Sequence, residues 1–390
     1  MTTPRILVIA GSDSGGGAGI QGDIKTITML GGHAMTAVTA ITAQNTLGVS
    51  AVHTVPAEIV LAQIDAVIDD VGIDAVKIGM IGSPFTALHI AARLEKLEGV
   101  PIVFDPVMVA TSGAILADDA TIAAFGNLMD VATLVTPNLP ELRRLTGEED
   151  EVAGALQLVS RHHCPVLIKG GHEEGDALAD ALIEEDNLTS WQGQRIETSS
   201  THGTGCTLAS ATAFYLGAGL GLTQSVERAR LFVRMALHEA PGLGKGHGPL
   251  GQQAVRMDTG LGLRLNQVTV TGIDYAKMVD FYCRLGLKQI VDSPDNQYAR
   301  FEAGGTTFSV QCDAEAEIGE TVAIYFECDD LDERVERLAR SGIPFEHGPR
   351  NQPWMWREAR LRDPSGNTIF IYKAGEARRY PPWRMAEGNS

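Results

Sequence analysis

Ser200-Thr201-His202-Gly203-Thr204-Gly205-Cys206-Thr207-Leu208-Ala209-Ser210-Ala211 sets two glycines and a run of small residues at the head of a long helical pattern. A helix starting there presents backbone N–H groups that have no intrahelical partner, backed by the positive end of its dipole. Such a place suits the charge that develops on a phosphoryl group in transfer. Cys206 falls in the first turn, where the same field lowers a thiol's pKa and favours thiolate. A group so placed can take the proton of an attacking hydroxyl. Taken alone, the string is explained equally well as a glycine-rich helix start with a packed cysteine.

The surrounding chain predicts an α/β fold. Short β-branched apolar runs at residues 5–10, 75–78, 102–104, 134–136 and 166–168 alternate with segments apolar at helical spacing, such as 57–70, 85–97 and 151–161. Strands that are apolar on both faces and separated by helices predict a mostly parallel sheet covered on both sides. Ligands of such sheets bind beyond the carboxyl ends of the strands. Residues 241–249, Pro-Gly-Leu-Gly-Lys-Gly-His-Gly-Pro, are too rich in glycine and proline for an element interior and read as the end of this domain. The domain is placed at 1–252, a linker at 253–263, a second domain at 264–375 and a poorly ordered tail at 376–390. In the second domain the order strand, helix and three short strands occurs twice, at a period of about 55 residues, slightly above the usual solenoid range. That predicts an α+β domain of two βαβββ repeats paired into one sheet.

Lys plus Arg number 31 and Asp plus Glu 49, a formal net charge of −18, which argues against a nucleic-acid or anionic-membrane partner. The five cysteines form no C-x-x-C and no framework spacing, which reads as reduced thiols in cytoplasm. No signal peptide or membrane span is expected.

The string Thr201-His202-Gly203-Thr204-Gly205-Cys206-Thr207 resembles the hydroxymethylpyrimidine/phosphomethylpyrimidine kinase branch of the ribokinase-like kinases. The wider superfamily carries D-T-x-G-A-G-D here with the last aspartate as base; this sequence has Cys206 in its place. The resemblance covers about residues 4–250. It implies a ribokinase-like fold, ATP and Mg²⁺ as cofactors, a small-molecule pyrimidine substrate and a homodimer. It also implies Cys206 as the catalytic group, with Gly203, Thr204 and Gly205 presenting N–H groups to the phosphoryl. The loop Gly11-Ser12-Asp13-Ser14-Gly15-Gly16-Gly17-Ala18-Gly19 is neither a dinucleotide nor a P-loop fingerprint. It resembles the family's substrate loop, so that Gly11, Asp23, Gln44, Met80 and Val107 are expected to meet the pyrimidine. A carboxylate and an amide offer the acceptors and donors that an aminopyrimidine edge needs.

Asp105, Asn138, Glu141, Lys169 and Thr201 are expected near the triphosphate and Mg²⁺. Asn138-x-x-Glu141 is also a capping box, the better reading on spacing alone. A lysine delivered by the buried strand 166–168 needs a partner, for which a phosphate is a candidate. Two other readings stay open: a pyridoxal or pyridoxine kinase of the same superfamily, and a ligand sensor with a degenerate kinase domain.

In the second domain, Phe281-Tyr282-Cys283-Arg284-Leu285-Gly286 and Asp363-Pro364-Ser365-Gly366-Asn367 resemble the vicinal-oxygen-chelate family of glyoxalase and bleomycin-resistance relatives. Metal-using members place His or Glu where this chain is read to hold Gln267, Ala323 and Phe370, so no metal is predicted there. Trp354, Trp356, Phe370 and Tyr372 are read as an aromatic cluster of a binding, regulatory or pairing module.

Overall fold

The computed structural model describes residues 3–170, 177–255, 264–284, 288–303, 306–315, 322–340, 342–362 and 368–385. The chain divides into two compact units, Met1–Val255 and Arg256–Ser390.

The first unit runs β1 (Arg5–Asp13), α1 (Gly19–Met29), β2 (His33–Asn45), β3 (Gly48–Thr54), α2 (Ala57–Asp70), β4 (Ala75–Ile78), α3 (Pro84–Leu94), β5 (Ile102–Phe104) and α4 (Asp119–Met129). It continues with β6 (Leu134–Val135), α5 (Leu139–Thr146), α6 (Glu151–His162), β7 (Val166–Ile168), β8 (Ala177–Ile183), β9 (Leu188–Gln194), α7 (Thr204–Gly217) and α8 (Leu222–His238). The sheet order is β3-β2-β1-β4-β5-β6-β7-β8-β9. Strands β2, β1, β4, β5, β6 and β7 pair in parallel, and antiparallel strands extend both edges.

Ile6, Leu7, Val8 and Ile9 have no exposed surface, because side chains on both faces of β1 are covered. Each such side chain contributes about 1.5–3 kcal/mol by burial. Helix α7 packs against β1, β4 and β5 and is buried at every position from Thr207 to Tyr215. Its small residues let it lie close to the sheet: a Cβ on Gly217 would stand 2.8 Å from Ile6 Cδ1. The carboxyl ends of β1, β4, β5 and β7 and the start of α7 therefore converge.

Several expectations change. The first strand does not stop at the glycine: β1 continues through Gly11 to Asp13 by a register shift against β2 between Ala10 and Ser12. Gln44 lies at the end of β2. The hairpins β2–β3 and β8–β9 escaped the sequence reading, since β9 alternates in exposure and carries no apolar run. The stretch 241–250 is mostly exposed but is tied back to the first unit, in keeping with its reading as that domain's end. His247 N–H donates to Thr46 O at 3.0 Å, Gly248 N–H to Ser199 O at 3.2 Å, and Gln252 is fully buried.

The second unit holds β10 (Arg264–Gly272), α9 (Tyr275–Arg284), β11 (Lys288–Ser293), β12 (Tyr298–Ala303), β13 (Thr306–Cys312), β14 (Val322–Glu327), α10 (Leu331–Arg340), β15 (Phe345–Asn351), β16 (Arg357–Arg362) and β17 (Thr368–Lys373). These form one sheet, β11-β12-β13-β10-β14-β17-β16-β15. In each βαβββ half the first strand pairs in parallel with the last, and β10 meets β14 antiparallel at the join. The start of the expected tail is ordered against this sheet: Arg378 is buried, bonds to Asn266 and pairs with Glu327 at 3.2 Å. Residues 285–287 and 363–367, which carry parts of the two quoted motifs, lie outside the described residues, as does most of the expected linker.

Candidate active site

One cavity of about 1100 Å³ opens at the carboxyl ends of the first unit's strands. Gly11, Gln44, Met80, Val107, Asp105, Asn138, Glu141, Lys169, Thr201, Gly203, Thr204, Gly205 and Cys206 all line it. Asp23 does not. It is fully buried, with its two carboxyl oxygens bound to Lys77 Nζ at 2.8 Å and Ser210 Oγ at 2.7 Å. The expected substrate contact at Asp23 is thereby corrected: its oxygens are spent inside the protein, and Lys77 reaches the cavity in its stead.

A carboxylate of the glycine-rich loop that does face the cavity is Asp13. It accepts N–H bonds from Gly15, Gly17 and Ala18 at 2.8, 3.0 and 2.8 Å and pairs with His202 Nε2 at 2.9 Å. Burial pushes its pKa up, but these bonds outweigh it and hold the carboxyl below the usual range. The Gln44 amide nitrogen lies 3.1 Å from the same ring nitrogen. Sequence reasoning assigned Asp13 and His202 no contact. The available signal was an Asp inside a serine–glycine run, the pattern of a loop that folds its own N–H groups around a carboxylate.

Helix α7 begins at Thr204 with Gly203 as its cap, at φ +91°. The first rung of its ladder runs from Thr207 N–H to Gly203 O at 2.9 Å, so the N–H groups of Gly205 and Cys206 precede it. Thr204 N–H leans instead on Thr201 O, at 3.4 Å. A Cβ on Gly203 would stand 2.0 Å from Gly17 O. Gly203→Ala is therefore expected to combine left-handed strain with a backbone clash, costing at least about 1–2 kcal/mol. Comparing thermal midpoints of variant and parent checks it; equal midpoints would refute the clash.

Beyond β5 and β7, Lys169 Nζ donates to Asp105 Oδ1 at 2.6 Å and lies 3.8 Å from Glu141 Oε2. The capping box is present: Asn138 Oδ1 accepts from Glu141 N–H and Glu141 Oε2 from Asn138 N–H, both at 2.9 Å. Burial pushes Glu141 up to about 7, against the pull of Lys169 and with the help of Asp105. Its folded value is raised, so its contribution to stability is full at pH below its ordinary value of 4.5 and is lost as pH rises through about 7. Glu141→Gln keeps the capping box and removes this titration. Thermal midpoints taken across that window should show the parent losing ground to the variant as pH rises; parallel curves would contradict the assignment.

The sequence reading that the helix start lowers the Cys206 pKa is overturned. Loss of solvent pushes the thiol up to about 11, opposed chiefly by Lys77 and helped by Asp23 and Asp105. Cys206 stays partly accessible through the cavity.

A phosphomethylpyrimidine kinase family model matches residues 13–251. The chain belongs to that family. The hydroxymethylpyrimidine/phosphomethylpyrimidine kinase of Rhizobium meliloti is 46% identical to the kinase unit over 257 residues, 64% of this chain and 96% of that protein. The bifunctional thiamine biosynthesis protein ThiED of Geobacter sulfurreducens is 44% identical over 251 residues, 63% of this chain, which spans about half of that relative (51%). Among solved structures, the pyridoxal kinase of Staphylococcus aureus in complex with ADP superposes with a TM-score of 0.60 at 30% identity, over 65% of this chain and 95% of that one. The phosphomethylpyrimidine kinase of Clostridium difficile 630 gives a TM-score of 0.53 at 35% identity, over 60% and 98%.

Beyond the kinase unit, residues 264–371 match the Glyoxalase/Bleomycin resistance protein/Dioxygenase superfamily. The row across its sheet runs Gln267, Tyr325, Phe370, whereas Ala323 stands opposite Thr269, so Tyr325 rather than Ala323 shares the row with Gln267. The Gln267 amide is taken up by Ser309 Oγ at 2.9 Å and Thr307 Oγ1 at 3.1 Å. Tyr325 stacks on Phe370 with ring centroids 4.5 Å apart, and Trp356 on Tyr372 at 4.5 Å. Trp354 does not join this cluster but is 41% exposed. Among the described residues of the whole chain, no group of three or more His, Cys, Asp or Glu is arranged to hold a metal ion, and no helix is long and apolar enough to cross a membrane.

Proposed function

We propose that the first unit transfers the γ-phosphoryl group of ATP to the 5-hydroxymethyl oxygen of 4-amino-5-hydroxymethyl-2-methylpyrimidine. A second transfer to the monophosphate then gives the diphosphate, in thiamine biosynthesis. The observation that carries this reading is the composition of one cavity wall. The glycine-edged, thioether-bearing face of Gly11 and Met80, the Gln44 amide, the Lys169 ammonium and the first turn of α7 all line it. Relatives named for this activity, at 43–46% identity, support it.

The chain's residues divide the work. Met80 and Gly11 pack the flat ring, a polarizable thioether against an aromatic face. Gln44, steadied by the Thr42 hydroxyl at 3.1 Å, presents its amide to the ring's polar edge. Lys169 offsets phosphate charge, and the N–H groups of Gly205 and Cys206 meet the charge developing on the transferred group. The attacking hydroxyl forms the new O–P bond as the bond to ADP breaks, and its proton passes to the Cys206 sulfur in its thiolate form. Asp105 and Glu141 are hard oxygen donors facing the cavity, which fits Mg²⁺ held through its own waters, with Asn138 and Thr201 beside the triphosphate. Bound there, the ion would neutralise phosphate charge. Scattered free thiols support a cytoplasmic location.

The test is an assay of the full chain with ATP, Mg²⁺ and either the pyrimidine alcohol or pyridoxal, the products identified by mass spectrometry. Pyrimidine mono- and diphosphate are expected. The pyridoxal kinase likeness favours a second reading, which a higher kcat/KM for pyridoxal would establish. Turnover of neither alcohol would favour a sensor.

A further inference from the structure

About two and a half turns of α7, Thr207 to Tyr215, are buried, yet one of its faces is polar. Cys206 and Ser210 are one turn apart and so lie above one another on the same side of the helix. Ser210 Oγ donates to Asp23, and Asp23 holds Lys77 Nζ at 2.8 Å, with neither ionic side chain exposed. Lys77 and Cys206 both line the cavity. The loop after β4 is shaped around this lysine: a Cβ on Gly79 would stand 2.8 Å from its Nζ. A buried ion pair is a weak stabiliser compared with apolar residues of the same size, so stability gives little account of a fully buried lysine that lines the same cavity as Cys206.

We propose that Lys77 is a positioning residue for the chemistry at Cys206: its ammonium, clamped by Asp23 and Ser210, is the fixed positive charge that compensates the sulfur once its proton has left. This rests on the kinase reading for its purpose, but the charge coupling is measurable without substrate. Other groups act on Cys206 from the elements packed around it: Asp23 from α1, Asp105 from the end of β5, Lys169 from the end of β7 and the N–H of Gly19. Of the charged groups, Lys77 exerts the strongest pull toward thiolate. Asp23 partly cancels it, so the pair is graded rather than neutral in its effect.

The experiment follows alkylation of Cys206 by iodoacetamide against pH in the full chain without ligands, reading the Cys206 peptide by mass spectrometry. Two variants isolate the charge at constant residue 23: Asp23→Asn, and Asp23→Asn with Lys77→Met. At a given pH the single variant is expected to alkylate at least about tenfold faster than the double, equivalent to about one unit in the thiol's midpoint. Should the single variant fail to fold, the parent compared with the double gives the same order, parent faster. Lys77→Arg is expected to stay near the parent curve. Coincident pH–rate curves for folded variants with and without Lys77 would overturn the proposal. The pyrimidine kinase assay separates the two readings. A tenfold gap in alkylation with no pyrimidine turnover by the parent supports the coupling and removes the kinase reading, while normal turnover with coincident curves removes the coupling alone.

Discussion

Cys206→Ala is expected to bind nucleotide and pyrimidine much as the parent does and to lose roughly 10²–10⁴-fold in kcat, the usual worth of a positioned proton acceptor. The reason is local. The Cys206 side chain lines the cavity at the head of α7, while Gly11, Gln44 and Met80, proposed to hold the ring, line it from β1, β2 and the loop after β4. Binding should survive because those contacts do not pass through residue 206. Calorimetric affinities together with steady-state kcat provide the check; unchanged turnover removes Cys206 from the mechanism. The sign of the pH dependence follows from the thiol standing at about 11 in the ligand-free protein. The acceptor is the deprotonated form, so turnover should climb as pH rises through the neutral and alkaline range. Cys206→Asp, which puts a carboxylate there, should flatten that climb. A parent profile that falls above neutrality would contradict the role.

The second large effect is on stability. Asp23→Ala should destabilise the kinase unit by about 3–5 kcal/mol, because it strands a buried ammonium with no paired carboxylate beside it. That is a large share of the roughly 5–15 kcal/mol that holds a domain together. Lys77 and Asp23 are both fully buried, so water cannot replace the lost partner. Replacing both, Lys77→Met with Asp23→Leu, should recover most of the loss, since the apolar pair carries no desolvation penalty. Urea unfolding of the first unit's transition reads both numbers. An Asp23→Ala protein as stable as its parent would mean that the pair is not buried as described.

Much of the fold was legible because it depends on local pattern. Runs such as Val166–Ile168 are apolar at every position, a pattern expected of a strand covered on both faces, and the helices between them carry their own spacing. The capping box at Asn138 and Glu141 was equally readable, because both bonds close within three residues. The repeat in the second unit showed in the order of its elements, and the sheet pairs its halves accordingly.

What the amino-acid string determined by itself was therefore the inventory: a mostly parallel sheet, a glycine-rich helix start, and a set of side chains at strand ends. Which of those side chains share a cavity was decided only in three dimensions. Asp23 and Asp13 look alike in sequence, both carboxylates in the same glycine-rich segment. Yet Asp23, on the buried face of α1, meets a lysine 54 residues away, while Asp13, at the end of β1, meets His202 across 189 residues. The thiol was misjudged for the same reason. A helix start is visible in the string, but the loss of solvent and the neighbouring charges that set its proton affinity come from strands and helices far along the chain.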